Sequence, residues 1–451
     1  MSRAAPTLAQ QAAGRAVDSR LPRLLAGVFE HGAMGLREHL ATHGELPHER
    51  ARRRREAPLI ELLEHAGLRG RGGAGFPTAK KLRAVARARR RAIVVINAAE
   101  GEPASLKDRT LCELAPHLML DGGQLAAQAL GADELIVCVC ESSPDSVDSV
   151  AEAIAERRGL GGAPAQMRLS VVPSGYVAGQ ESALVSHLNG GPAIPRFTPP
   201  MPYEQGVRRR PTLIANAETL AHVALIARHG SAWFRELGVG AQPGSALLTL
   251  SGPVADPGVY EIEHGASLAS VVAAAGGASG RVRAALVGGY AGTWIDGRLL
   301  NGVALSDEHL APHGASLGAG VVALLSEDAC PVAETVRIAS WLAAQGAGQC
   351  GPCVNGLNAL AATLQQLLQG AAQGNSAKRI ERLASLTRGR GACAHPDGAV
   401  RFVLSAARVF SQELADHARH GPCDACARPA ELALPLDALD ARRRRDAVAL
   451  A

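Results

Sequence analysis

Between residues 68 and 236, short β-branched apolar runs alternate with longer stretches whose apolar positions recur at helical spacing. The runs at 93–96, 134–139 and 169–172 predict strands, and 116–130 and 146–158 predict helices. Strand, helix and strand at these lengths predict an α/β sheet with crossover connections. Ahead of them, 58–67 predicts a short amphipathic helix leading into a glycine-rich stretch. From about 240 the pattern changes: 247–254, 257–262, a short helix near 267–275 and 285–290 predict strand, turn, strand, helix, strand. Beyond 330, the segments 332–344, 355–368, 378–386 and 402–417 have helical apolar spacing and predict a small antiparallel bundle. The tail from about 418 ends in Arg442-Arg443-Arg444-Arg445 and reads as disordered. Residues 1–55 close on Arg50-Ala51-Arg52-Arg53-Arg54-Arg55 and read as a solvated arm, or as a docking arm for an acidic partner.

Composition narrows the function. With 451 residues and 47% apolar content the chain has room for several domains and a sizeable core. Only 3% of residues are aromatic, so Ala, Val and Leu must build that core and few side chains remain to stack on a nucleotide ring. The net charge of +5 falls in local runs rather than one basic surface, which argues against nucleic-acid binding. The N-terminal Ser2-Arg3-Ala4-Ala5-Pro6 has no apolar signal region, so the nine cysteines, two CxxC pairs among them, are expected to be reduced, with the paired ones serving metal. No apolar stretch has the length of a membrane span. The expected location is therefore cytoplasmic, with the inner face of a membrane reached only through a partner. Cys138 and Cys140, two apart in a strand pattern, read as buried apolar residues, as do Cys112 and Cys330.

The candidate chemistry starts at Gly70-Arg71-Gly72-Gly73-Ala74-Gly75-Phe76-Pro77-Thr78. Glycines let a backbone approach a ligand closely, and their N–H groups can converge on an anion where a helix begins. Arg71 and Lys81 add positive charge nearby. About twenty residues on, the strand at 93–96 empties into Asn97-Ala98-Ala99-Glu100-Gly101-Glu102-Pro103 and sets polar and acidic side chains at its carboxyl end, where open α/β sheets bind ligands. Glu100 and Glu102 could equally cap the next helix.

These two motifs, with Lys107-Asp108-Arg109, Ser174-Gly175-Tyr176-Val177-Ala178-Gly179-Gln180-Glu181-Ser182, Arg210-Pro211-Thr212 and Asn216-Ala217-Glu218-Thr219-Leu220, resemble in order the flavin subunit of NADH:quinone oxidoreductases, over roughly residues 60–410. The resemblance implies an FMN-binding Rossmann-like α/β domain at 56–238, an SLBB-like β-grasp domain at 239–328 and a helical iron–sulfur bundle at 329–417, between a basic extension at 1–55 and a tail at 418–451. It implies a flavin pocket formed by Gly70, Arg71, Gly72, Gly73, Gly75, Phe76, Lys81, Asn97, Glu100, Tyr176, Gly179, Gln180, Glu181 and Asn216, with Glu102 and Glu181 in catalysis.

Two departures from the family pattern are legible. At the NAD(H) site Phe76 keeps one aromatic, but Ala84 and Met201 replace two others, Thr198 replaces a lysine, Ala99 an acidic residue and Gln180 a glutamate. Each base–aromatic contact is worth about 1–3 kcal/mol, so a dinucleotide would bind weakly, differently or not at all. For the [4Fe–4S] cluster, Cys350, Cys353 and Cys393 match three of the four cysteines, whereas Gly356 occupies the third position. Water, His395 or a cysteine of Cys423-Asp424-Ala425-Cys426 could complete the set, or the cluster could be absent. The implied activity is FMN-dependent electron transfer between NAD(P)H or another donor and iron–sulfur partners in a hetero-oligomer, which could be a membrane-bound redox complex. The alternatives are a flavoprotein reduced by a ferredoxin, and an assembly or ligand-binding protein that keeps only the fold.

Overall fold

A computed structural model describes residues 19–46, 57–88, 90–158, 165–371 and 375–434. Its first layer is a wholly parallel sheet of β1 (Ile93–Ala98), β2 (Glu134–Cys140), β3 (Gln166–Val172) and β4 (Thr212–Asn216), in the order β3-β2-β1-β4. β1 and β2 are near-continuous apolar runs because helices cover both faces. Those helices are α1 (Ala57–Ala66), α2 (Thr78–Ala86), α3 (Lys107–Leu114), α4 (Pro116–Leu130), α5 (Pro144–Arg158), α6 (Glu181–Leu188) and α7 (Ala217–His229). After β3 the chain crosses back to the far side of β1, so the winding direction reverses between β1 and β4.

The second sheet contains β5 (Ser245–Ser251), β6 (Gly258–Glu263), β7 (Val282–Val287), β8 (Thr293–Asp296) and β9 (Val321–Ser326), in the order β8-β7-β9-β5-β6, with α8 (Leu268–Ala274) packed on one face. β9 runs parallel to β5 and the remaining pairs are antiparallel. β5, β6, α8 and β7 are the strand, strand, helix, strand of the sequence pattern. Two further strands complete the sheet: β8, too short to announce itself, and β9, an apolar run just before the helical region.

The other face of this sheet meets the C-terminal helices α9 (Pro331–Ala344), α10 (Asn358–Leu368), α11 (Ser376–Thr387), α12 (His395–Val409) and α13 (Ser411–His420). The scarce aromatics are concentrated here: Tyr290, Trp294, Trp341, Phe402 and Phe410 are all buried in this one cluster, with Trp294 edge-on to Phe410 at 5.2 Å. A π-helical turn, Pro352–Leu357, precedes α10 where the pattern suggested one continuous helix from 355.

Parts of both terminal segments differ from expectation, while 1–18 and 435–451, the arginine run at 442–445 included, lie outside the described residues. Within 1–55, residues 19–46 are packed: Leu24 and Leu25 are fully buried. The N–H groups of Arg23, Leu24 and Leu25 donate to one carboxylate oxygen of Glu261 on β6, at 2.8, 2.8 and 3.3 Å. The Arg23 guanidinium also stacks 3.9 Å above the Trp233 ring. The arginine run at 50–55 lies outside the described residues. At the other end, 418–434 is ordered rather than a loose tail: α13 extends to His420, a 3₁₀ turn spans Asp424–Ala427, and Leu432 is buried. No described helix is long and apolar enough to cross a membrane.

Candidate functional site

The reversal between β1 and β4 opens a crevice at their carboxyl ends, the place where open α/β sheets bind ligands. Asn97 lies near the end of β1 and Asn216 ends β4, and the two are register partners across it. Both amides are fixed. The Asn97 Nδ2 donates to the Gly179 carbonyl at 2.8 Å, and the Asn216 Nδ2 to Asp108 at 2.6 Å. Asn216 Oδ1 accepts from Lys107 Nζ at 3.2 Å and from the Glu218 amide at 3.1 Å. Lys107, itself buried, also meets Asp108 at 2.7 Å and Glu218 at 3.2 Å. Burial opposes its charge, but the carboxylates of Asp108, Glu218 and Glu100 prevail and hold it protonated above its ordinary range.

Above this floor lies the glycine loop. The Gly70 and Arg71 amides are occupied, by the Phe76 carbonyl and the Thr219 hydroxyl. Among the described residues, those of Gly72, Gly73 and Ala74 make no hydrogen bond, and these three residues are exposed. The following helix α2 has no side-chain cap, and Thr78 Oγ1 at its start is buried without a partner. A Cβ at Gly72 would lie 3.4 Å from the Asn216 Cβ, so the loop stands directly over the strand ends. Free amide donors, an uncapped helix start and a polar floor fit the phosphoryl end of a flavin nucleotide. The Arg71 guanidinium turns away from this mouth: it is buried against the Ser245 carbonyl at 3.0 Å and Glu218 at 3.9 Å. Lys81 instead ion-pairs with Glu181 at the start of α6, and Phe76 is half exposed beside the loop.

The acidic corner divides into two roles. Glu100 accepts from the amides of Asp108 and Arg109, both at 3.3 Å, and from the Ser105 hydroxyl, so it caps α3 from a distance. Glu102 points to the second sheet, accepting from the Tyr290 amide at 3.0 Å and the Tyr176 hydroxyl at 3.3 Å. Burial pushes its carboxyl up to about 7, against the pull of those donors. Gly179 is required where it stands, because a Cβ there would come within 2.3 Å of the Ala99 carbonyl oxygen. That contact seats the 174–180 loop on the strand end. Gln180 caps α6, its side-chain oxygen accepting from the Ser182 and Ala183 amides at 2.8 and 3.1 Å. Glu102 and Glu181 thus belong to separate networks, one facing the second sheet and one facing Lys81.

Tyr176 links this corner to the helical bundle. Its amide donates to Gln345 at 3.1 Å, and its ring lies edge-on to Trp341 and tilted on His395, each at 5.3 Å. Two residues before His395 is Cys393, grouped with Cys350 and Cys353. Burial raises the Cys350 thiol, yet donors from Ala392 and Cys353 bring it below its ordinary range, whereas burial and the neighbouring Cys350 push Cys353 up to about 12. At Gly356 a Cβ would lie 2.4 Å from Thr387 Oγ1, so Thr387 takes the space that a side chain at this position would need. His395 Nε2 meets the Leu342 carbonyl at 2.9 Å and its Nδ1 has no partner.

Three family signatures match along the chain: the Nuo51 FMN-binding domain over residues 63–225, the SLBB domain over 247–289, and the NADH-ubiquinone oxidoreductase-F iron-sulfur binding region over 333–417. The F 2 subunit of NADH-quinone oxidoreductase in Rhizobium meliloti is 34% identical over 382 residues, covering 81% of this chain and 90% of the relative. The chain belongs to the family of NADH-quinone oxidoreductase F subunits. The F subunit of the Mycobacterium tuberculosis enzyme is 32% identical over 81% of this chain and 85% of its own. Beyond these, the NADP-reducing hydrogenase subunit HndC of Solidesulfovibrio fructosivorans is 28% identical over 82% of this chain and 78% of its own. Among solved structures, the NAD+-reducing [NiFe]-hydrogenase in the air-oxidized state superposes with a TM-score of 0.77 at 31% identity, covering 94% of this chain and 70% of that one.

As a member of that family the chain has the FMN-binding domain and the iron–sulfur region on which the family's electron transfer rests. The donor set partly fits a cubane cluster: Cys350, Cys353 and Cys393 lie close enough to perturb one another's thiols, and residue 356 is a glycine with no ligand to offer. The tail CxxC does not complete it. Cys423 and Cys426 lie instead with Cys330 and His417. Cys330 is buried in the core, as its reading expected, and its sulfur also faces this group; Cys112 and Cys138 are core, both fully buried.

Proposed function

We propose that this chain is an FMN-dependent electron-transfer subunit, working between NAD(P)H or another donor and iron–sulfur partners in a hetero-oligomeric complex. The observation that carries the reading is the open amide cradle of Gly72, Gly73 and Ala74 over the Asn97/Asn216 pair at the sheet's reversal point. FMN bound there supplies the exchange between two-electron and one-electron transfer. The cradle amides hold its phosphate, while Asn97, Asn216 and Gly179 fix the pocket floor. The Lys81–Glu181 pair flanks the mouth. Glu102, with a carboxyl that titrates near neutrality, holds or releases a proton beside the pocket. Cys350, Cys353 and Cys393 are the cluster ligands, with the packed Tyr176 between the two centres. We take 56–238, 239–328 and 329–417 as the working units, and the cytoplasm, with membrane contact only through a partner, as the location.

Purified chain should be yellow, release FMN on denaturation, and bleach when NADH is added without oxygen. A colourless chain that FMN cannot reconstitute refutes the reading in favour of a fold-only assembly protein. A second reading concerns the donor. Ala84, Thr198 and Met201 stand where the family has two aromatics and a lysine, and Phe197 is two-thirds exposed. These positions favour a flavin reduced by a small iron–sulfur protein. Slow bleaching by NADH with prompt bleaching by reduced ferredoxin supports that direction, and prompt bleaching at low NADH overturns it.

A further inference from the structure

The CxxC near the C-terminus has no role in the flavin or cluster chemistry, yet its sulfurs converge on donors from elsewhere in the fold. Cys330 caps the N-terminus of α9, His417 sits in the last turn of α13, and Cys423 and Cys426 belong to the 3₁₀ turn that follows. Three separate elements thus bring four donor atoms within 4.8 Å of one another. Cys330 Sγ and Cys426 Sγ each lie 3.4 Å from His417 Nε2, the two sulfurs are 3.4 Å apart, and Cys423 Sγ is 3.7 Å from Cys426 Sγ.

We propose that Cys330, His417, Cys423 and Cys426 form a mononuclear, tetrahedral zinc site that fastens the C-terminal segment to the bundle. Zinc binds sulfur at about 2.3 Å and imidazole nitrogen at about 2.0–2.1 Å, so a regular tetrahedron has S···S edges of about 3.8 Å and S···N edges of about 3.5–3.6 Å. The observed separations fall within a few tenths of these edges. They are far too long for disulfides, whose sulfurs stand about 2.05 Å apart. They are also too short for a cubane cluster, which sets its thiolates on four different irons at outer corners.

The surroundings prepare each donor. His417 Nδ1 faces the Glu413 carbonyl at 2.7 Å, which fixes that nitrogen as the donor and leaves the Nε2 lone pair toward the sulfurs. The Ala333 amide donates to Cys330 Sγ at 3.3 Å at the start of α9 and orients that sulfur toward the other donors. The 3₁₀ turn closes through Cys426 N to the Cys423 carbonyl at 2.9 Å and brings both sulfurs to the same side. Four protein ligands leave no open position, the mark of a structural rather than a catalytic zinc. Three thiolates and one imidazole select zinc over calcium or magnesium, which prefer oxygen.

The test uses the full chain expressed with zinc in the medium and washed free of loose metal. Metal analysis by mass spectrometry should find one zinc per chain in addition to iron, and the Cys423→Ser/Cys426→Ser double variant should lose that zinc while keeping its FMN and its iron. Cobalt(II) added to the metal-stripped chain should give the intense visible bands of a tetrahedral thiolate site, absent in the double variant. The parent's cobalt spectrum stands as a readout even if the variant is unstable. A chain with no zinc whose Cys423 and Cys426 react freely with a thiol reagent, a Cys423–Cys426 disulfide, or a mononuclear iron in zinc's place would each overturn the assignment. Failure of FMN binding leaves the zinc stoichiometry unaffected, so the two readings fail separately.

Discussion

The family resemblance sets the missing cluster cysteine at Gly356, and the structure gives the cost of restoring one there. A cysteine there would bring its Cβ to 2.4 Å from Thr387 Oγ1 and 3.1 Å from its Cγ2, while Thr387 is buried at the end of α11 and donates to the Leu383 carbonyl at 2.8 Å. Overpacking of this kind costs about 1–3 kcal/mol, so Gly356→Cys alone should lower the melting temperature by roughly 2–8 °C. Its thiol should not reach the cluster. Adding Thr387→Ala removes the clashing hydroxyl and methyl and leaves the residue 387 Cβ at 3.2 Å, a contact that a shift of a few tenths of an ångström relieves. The lost hydrogen bond is a local one and worth about 0.5–1.5 kcal/mol at most. The double variant should therefore recover much of the melting temperature and gain a fourth thiolate. Thermal unfolding followed by circular dichroism measures the first effect. Iron and sulfide analysis after mild oxidation measures the second, since a cluster held at three corners gives up one iron and one held at four does not. If Gly356→Cys melts with the parent, Thr387 does not crowd position 356 and the reasoning fails.

Three other outcomes are expected. Asn97→Ala removes the bond to Gly179 that seats the 174–180 loop, worth about 1 kcal/mol, and should weaken FMN retention several-fold on dialysis without changing the zinc content. Burial and the Arg157 charge push fully buried His117 down to about 3, so it folds neutral. Its unfolded form takes up a proton below about 6.5, so stability present above that pH is lost as pH falls toward 3. The loss is on the order of 4 kcal/mol, read from the shift of the denaturant midpoint, and His117→Gln should flatten it. With the Glu102 carboxyl raised to about 7, the flavin midpoint potential should bend near neutral pH in the parent and run straight in Glu102→Gln; identical profiles would remove Glu102 from the proton path.

Much of this is legible in the sequence. The β-branched runs at 93–96 and 134–139 are short, apolar throughout and separated by helical spacing, as buried parallel strands must be, and the motifs on either side of them locate the crevice because side chains at strand ends are set by the strand itself. What stayed hidden depends on long-range contact. Arg71 reads as a phosphate ligand beside the glycines, but Glu218 and the Ser245 carbonyl, far along the chain, turn it inward. Glu100 reads either as a pocket residue or as a cap for the next helix, and only the amides of α3, which take both its oxygens, decide for the cap. The cluster of Cys330, His417, Cys423 and Cys426 joins residues almost a hundred positions apart, and its one sequence signal is the tail CxxC, since neither Cys330 nor His417 sits in a ligand-spaced motif. The packed stretch at 19–46 was masked by its arginines, since nothing local marks Glu261 as the acceptor of three successive amides.

The seat of Tyr176 has a bearing on speed. Electron tunnelling falls off steeply with each added ångström, and one aromatic ring wedged among Glu102, Trp341 and His395 keeps the flavin corner and the cysteine bundle at a set spacing without any covalent tie. Trp341 lies on α9 and His395 opens α12, so the bundle holds the ring from one side and Glu102 from the other. Replacing the ring by a smaller side chain would loosen that spacing while leaving every proposed cofactor ligand in place.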